Sequence, residues 1–123
     1  MHLRFERTAE KSVRAEVELG AQFQGWKGIA HGGIAMALLD EAMAHAAAAA
    51  GHRGVTASMQ LRFRKPVPLE DRIVVEGQVE WIRRNVLGLR ARVRGRDGEL
   101  LLEATGSFVS KGAINALRDR RST

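Results

Sequence analysis

Asp40 stands where a carboxylate has no obvious partner. Its neighbours are Met36, Ala37, Leu38, Leu39, Ala42, Met43 and Ala44, so a helix through this stretch is apolar on almost every side. Holding an unpaired carboxylate there costs on the order of several kcal/mol unless it is paired, hydrogen-bonded or protonated. Burial also raises a carboxyl pKa toward the range useful to a general base. Two plainer readings stay open: Asp40 and Glu41 mark a narrow solvated edge, or Asp40 pairs with an arginine of a neighbouring sheet.

A second feature precedes it, at His31-Gly32-Gly33. The first turn of a helix leaves backbone N–H groups unpaired and favours negative charge. Two glycines allow a ligand to approach that backbone closely. Such a place could hold a carbonyl oxygen as it becomes an oxyanion, or it could be a glycine-rich turn capped by His31. The spacing bears on how the two features could cooperate. Gly32 and Asp40 are eight residues apart, about 12 Å along a helix. Nine steps of about 100° from His31 turn Asp40 to the opposite side. One chain cannot easily aim both at one reacting atom. A two-fold dimer can, by setting the helix start of one copy against Asp40 of the other.

The elements that must position these residues follow from hydrophobic period. Val13, Ala15, Val17 and Leu19 alternate with polar residues over 12–19, the pattern of a half-buried strand. Residues 20–33 are rich in glycine and read as a loop. A helix is expected from His31 or Gly32 to Ala50, buried all round and stopped at Gly51. Strands follow: Val55 to Arg64, then a run with Ile73, Val75, Val79 and Trp81 on one face, then Leu87 to Val93. The last carries Leu100, Leu102, Ala104, Gly106 and Phe108. Pro66 to Asp71 and Arg83-Arg84-Asn85 mark turns, and Asp97-Gly98 signals a two-residue hairpin. Short turns imply antiparallel neighbours. The fold class is therefore α+β, in the order β-α-β-β-β-β, with an antiparallel sheet around one long helix. The expected unit is a single domain over 1–123, with a core from about 12 to 111 and a tail, 112–123, that frays.

Composition narrows the function classes. The 123 residues include no cysteine, which removes disulfides and thiol nucleophiles and any positive sign of secretion. No signal peptide is visible, and the apolar run at 34–50 carries Asp40, Glu41 and His45, a poor membrane span. A cytoplasmic location, without membrane association, is the expectation. The formal charge of +6 suits polyanions of several kinds, coenzyme A phosphates among them. Six aromatics with no tyrosine argue against a single-strand nucleic-acid surface, and no nucleic-acid partner is expected. There is no HExxH, GxSxG, P-loop or GxGxxG motif, and no metal is expected. Glu41 and His45 can pair at i,i+4. Met36, Met43, Met59 and Trp81 could line an apolar pocket or belong to the core.

The run His31-Gly32-Gly33-Ile34-Ala35-Met36-Ala37-Leu38-Leu39-Asp40-Glu41-Ala42 resembles the signature of the hotdog-fold thioesterases. The nearest branch is the phenylacetyl-CoA thioesterase-like (PaaI-like) proteins. Gly54-Val55-Thr56-Ala57, Phe63-Arg64-Lys65-Pro66-Val67-Pro68-Leu69 and Glu103-Ala104-Thr105-Gly106-Ser107-Phe108-Val109 resemble later landmarks in the right order.

The resemblance implies hydrolysis of an acyl-CoA, with an aryl or medium-chain acyl group, by a homodimer and further by a pair of dimers. No separate cofactor is implied, because coenzyme A is part of the substrate. Asp40 would be general base or nucleophile. The Gly32 or Gly33 amide of the other copy would polarise the carbonyl, His31 would orient that loop, and Thr56 would position water or the carboxylate. Arg64, Lys65, Arg83 and Arg84 would meet the coenzyme A phosphates, a task that suits arginine. Many relatives carry Asn or Gln six residues before the signature His. Here that place is Gly25, with Gln24 beside it as a candidate substitute. An acyl-CoA-binding sensor without catalysis is the alternative, and it would not need Asp40.

Overall fold

The computed structural model describes residues 3–113. Strands β1 (Glu6–Ala9) and β2 (Ser12–Glu18) lead to one 3-10 turn (Ala21–Phe23). A small hairpin follows, of β3 (Gln24–Trp26) and β4 (Ile29–Ala30). Helix α1 (Gly32–Ala49) comes next, then β5 (His52–Phe63), β6 (Arg72–Arg83), β7 (Val86–Arg94) and β8 (Leu100–Ala113). Six strands form one sheet in the order β1-β2-β6-β7-β8-β5, with every neighbouring pair antiparallel.

The α+β plan of one long helix on a large antiparallel sheet agrees with the pattern in the sequence, and two hairpin elements enlarge it. β1 is four exposed residues, too short and too polar to show alternation. The expected loop at 20–33 contains β3 and β4, of three and two residues, hidden by their glycines. β8 also runs further than expected, taking in residues 112 and 113. The rest of the expected fraying tail lies outside the described residues.

Alternation decides which residues meet the helix. Ile73 and Val75 of β6, Leu87, Leu89, Ala91 and Val93 of β7, and Leu102, Ala104 and Phe108 of β8 are all buried. They face Ala35, Leu38, Leu39, Ala42, Met43, Ala46 and Ala47 of α1. Small residues let the two layers approach closely. At Gly77 on β6 a Cβ would lie 2.4 Å from the Ala42 carbonyl oxygen, so the helix backbone rests on the sheet backbone there.

Three expectations are corrected. The helix is not buried all round: Gly33, Met36, Asp40, Glu41, Ala44, His45 and Ala48 are exposed. One sheet face covers one side of a helix and leaves the other uncovered, and alanines on both sides concealed that division. Trp81 does not continue the core face of Ile73, Val75 and Val79. A register shift between Val79 and Trp81 turns its ring to the outer sheet face, seated on Gly88 and 48 % exposed. A bulge of this kind inserts a residue and reverses the alternation. The Asp97-Gly98 hairpin closes through three residues rather than two. Gly95 N–H donates to Glu99 O at 2.9 Å, and Gly98 takes a φ of 86°, as a three-residue hairpin loop requires.

Candidate active site

The exposed side of α1 faces β5, which forms one edge of the sheet. β5 runs back along the helix, so the stripe Gly33, Ala37, Asp40, Ala44 and Ala48 looks onto it, these being neighbours at helical spacing. Across that gutter the Thr56 hydroxyl donates to Asp40 Oδ1 at 2.9 Å. Asp40 is therefore neither deeply buried, as its neighbours suggested, nor paired with a sheet arginine. It stands on an exposed face, held by a neutral donor, with no hydrogen bond to Oδ2 among the described residues.

The helix start is organised by His31, which is the N-cap. Its Nδ1 accepts the Gly33 N–H at 2.9 Å, so a neutral ring carries its proton on Nε2. Ile34 and Ala35 N–H both donate to His31 O. The amide left without a described partner in this first turn is that of Gly32, where a Cβ would meet nothing within 4 Å. Of the two glycines left open by the sequence, Gly33 has its N–H taken by His31 and Gly32 does not. Gly33 lies on the Asp40 face, seven residues or about 10 Å below it. Axial distance, rather than rotation, keeps the helix start from this chain's own Asp40.

The β3–β4 hairpin is fastened to this N-cap. His31 N–H donates to Phe23 O at 2.8 Å, and Ala30 N–H to Val67 O at 2.8 Å. A Cβ at Gly25 would lie 2.8 Å from His31 Cα, so the position that holds Asn or Gln in many relatives accepts only glycine in this arrangement. Gln24 turns inward to its own hairpin, its Oε1 accepting Gly28 N–H at 3.0 Å.

Beyond Asp40, toward the helix C-terminus, lies a cleft of about 260 Å³. Ala44, Ala48, Gly54 and Phe108 line its apolar part, and Glu41, His45, His52 and Arg53 its polar part. Glu41 and His45 pair at 3.5 Å as their spacing predicts, and Phe5 stacks on the His45 ring at 4.6 Å between centroids. Nothing in the sequence pattern marked this cleft, because its floor is alanine and glycine. Of the apolar candidates for a pocket, Met43 is core and Met59 partly buried, Met36 is exposed, and Trp81 sits on the far side of the sheet.

The four basic candidates are not brought together. The registers Val55↔Val109 and Val86↔Val109 set the Arg83-Arg84 turn beside the start of β5. Arg64 and Lys65 follow its end, about 30 Å away at strand rise. Arg64 is engaged with Glu103, donating from Nε at 3.1 Å and Nη2 at 2.9 Å to one carboxylate oxygen. This double donation is the main reason the Glu103 carboxyl titrates below its ordinary value of 4.5. Arg83 lies over the Trp81 ring at 5.9 Å. Among the described residues no helix is long and apolar enough to cross a membrane.

The family model of the thioesterase superfamily matches residues 27–102, from the small hairpin through the helix and into β8. The chain belongs to the thioesterase superfamily. Among its relatives, bovine acyl-coenzyme A thioesterase THEM4 is 31 % identical over 106 residues, 85 % of this chain and 44 % of that one. The chain thus spans less than half the length of that curated relative. A thioesterase superfamily protein of known structure is 30 % identical, with a TM-score of 0.83 over 87 % of this chain and 53 % of that one. A hypothetical thioesterase from Streptococcus pneumoniae, solved with coenzyme A, shares the fold at a TM-score of 0.85 and 20 % identity, covering 91 % of this chain and 90 % of the other. That streptococcal protein has also been solved with alanine at an aspartate and, separately, at a threonine sixteen residues later. The superfamily member described here is thus a hotdog fold, as its helix signature implied.

Proposed function

We propose that this thioesterase-superfamily chain hydrolyses acyl-CoA, with Asp40 as its catalytic carboxylate. The observation that carries the reading is the Thr56 hydroxyl on Asp40 Oδ1, which leaves Oδ2 without a partner among the described residues, on an exposed face of the helix. The interval between Asp40 and Thr56 is sixteen residues, the same as between the two substituted positions of the streptococcal relative. Curated relatives are acyl-coenzyme A thioesterases, and the streptococcal protein was solved with coenzyme A.

The chemistry needs two groups. Asp40 either takes a proton from water as that water attacks the thioester carbon, or attacks the carbon itself. Negative charge then develops on the carbonyl oxygen and needs a fixed donor, for which the Gly32 N–H of a second copy is suited. The C–S bond breaks, and coenzyme A leaves as a thiol after taking the proton that Asp40 removed from water. Where Asp40 itself attacks, the thiolate takes its proton from solvent and a water then cleaves the acyl–Asp40 anhydride, releasing the acid and restoring the carboxylate. Thr56 keeps the carboxylate oriented. His31 fixes the first turn through Gly33, with Nε2–H free for the substrate. The carboxylate thus acts by position in an open gutter, closed when the second copy arrives.

A homodimer supplies that copy. β5 is a twelve-residue strand at a sheet edge, with Val55 and Phe63 more than half exposed. Long unprotected edges are places where another chain pairs. Exposed Met36 and Ala44 on the helix add apolar surface to the same side. Two such dimers would join through the outer sheet face. Lys65 and Arg84 are open for coenzyme A phosphates, Arg83 would reach them from its place over the Trp81 ring, and Arg64 would have to leave Glu103.

Release of free thiol from a panel of acyl-CoAs tests this reading. Asp40→Asn should lower the rate by at least ~100-fold, the usual scale of acid–base catalysis. Tight acyl-CoA binding by the wild type without turnover would favour a sensor instead.

A further inference from the structure

We propose that Trp26 of one copy roofs the acyl cleft of the other, and so selects the acyl group. The proposal rests on the thioesterase reading above and adds a residue to it.

Trp26 is the most exposed large apolar side chain among the described residues, at 75 %. It sits in a hairpin rather than on a loose segment. A Cβ at its neighbour Gly25 would lie 2.8 Å from His31 Cα. His31 N–H donates to Phe23 O just before β3, Ala30 N–H to Val67 O and Leu69 N–H to Gly28 O, while Gly28 N–H braces the hairpin itself through Gln24 Oε1. The hairpin that carries Trp26 is therefore packed against the helix start. A partner site that receives the Gly32 amide therefore meets this hairpin as well.

Symmetry says where the indole goes. A two-fold axis can set Gly32 of each copy against Asp40 of the other only if the two helices run in opposite directions. Moving backward along the second copy, past its Gly32, leads into its β3–β4 hairpin. On the first copy the same direction leads from Asp40 to Ala44 and Ala48, about 6 and 12 Å further along the axis. The hairpin of the second copy therefore overlies the cleft floored by Ala44, Ala48, Gly54 and Phe108. The cleft offers small apolar groups and the Phe108 side chain, bordered by Glu41, His45, His52 and Arg53, and it is open in the single chain. An indole closes it, burying a large apolar face where tryptophan is most often found in interfaces.

The cleft gives an upper scale for the acyl group, since a second copy would take up part of its open side. A dry cavity of roughly 150 Å³ holds one benzene ring, and this cleft measures about 260 Å³. It suits an acyl group with an apolar body near the size of a single ring, packed between indole and alanines. A long alkyl chain exceeds it. An acetyl group is too short to reach the lid.

Fluorescence and kinetics test the assignment together. With Trp81→Phe, Trp26 is the only tryptophan. In the Asp40→Asn/Trp81→Phe protein, phenylacetyl-CoA should shift or quench the emission saturably, while free CoA and acetyl-CoA leave it nearly unchanged. In otherwise wild-type enzyme, Trp26→Ala should raise KM for phenylacetyl-CoA by about tenfold, the usual scale for losing an interface tryptophan. Acetyl-CoA turnover should change by less than ~2-fold, and Trp26→Phe should recover most of the loss. Calorimetric binding of phenylacetyl-CoA with silent Trp26 emission would overturn the proposal, as would equal losses for both substrates. A wild type that hydrolyses no acyl-CoA brings down the thioesterase reading itself, and this proposal with it.

Discussion

Thr56 Oγ1 and Asp40 Oδ1 lie 2.9 Å apart, joining the edge strand to the exposed side of the helix. The hydroxyl is the donor, so it satisfies one carboxylate oxygen without adding charge. Thr56→Ser should retain activity within a few-fold. Thr56→Val, which keeps the shape and removes the donor, should lower kcat by about 10- to 100-fold, since a hydrogen bond to a charged group contributes roughly 1.5–3 kcal/mol. Steady-state kinetics on both variants, with circular dichroism to show that they fold, is the check. Equal activity in Thr56→Val and wild type would remove Thr56 from the site.

Gly32 offers a cleaner separation of backbone chemistry from folding. It is the first residue of α1, where proline is favoured, and His31 before it has φ −58° and ψ 140°, a conformation that a following proline prefers. Gly32→Pro deletes one N–H while the helix start stays intact. The melting temperature should hold, and kcat should fall by about 10²–10³, as for loss of an oxyanion donor. Gly32→Ala keeps the N–H and should stay close to wild type.

Those two losses should complement each other if sites are shared between copies. Neither Asp40→Asn nor Gly32→Pro has an intact site alone. After unfolding and refolding at equal concentrations, roughly half the dimers are mixed, each with one complete site, so about a quarter of wild-type activity should return. No recovery, with mixed dimers demonstrated by mass spectrometry, would mean that each chain completes its own site.

The exposed helix face should be an interface. Ala44→Arg places a charge where a second copy would pack, and burial of an unpaired charge is strongly unfavourable. Light scattering should show a monomer in place of a dimer, with activity lost and helix content kept.

Arg64 and Glu103 set an acid limit on stability. The Arg64 hydrogen bonds hold the Glu103 carboxyl below its ordinary value. The stabilisation is therefore present above the ordinary carboxylate range and is lost as pH falls through the lowered value. Thermal melts of wild type and Glu103→Gln should differ at pH 7 and converge in strongly acidic solution. A constant difference across the range would show that the pair acts through packing instead.

Much of this molecule was legible along the chain. Alternation in Leu87, Leu89, Ala91 and Val93, or in Leu102, Ala104 and Phe108, marks the strands because a sheet with one packed face imposes period two. The helix limits followed from His31 and Gly51, and Asp40 and the Gly32-Gly33 pair stood out by residue type, with the choice between the two glycines left open. The face division of α1 was not legible. Alanine is accepted on a packed side and on an open one, so Ala42 and Ala44 look alike until the sheet covers one of them. The same holds for Trp81, whose side is set by a bulge that only strand pairing creates, and for Arg64, whose partner is 39 residues away. Which amide is open at the helix start depends on where the His31 ring turns, and Asp40 meets Thr56 only because β5 folds back along α1. Residue type and local period determine which elements form. Contacts between distant segments determine what each side chain faces, because they belong to the packed chain and to no stretch of it alone.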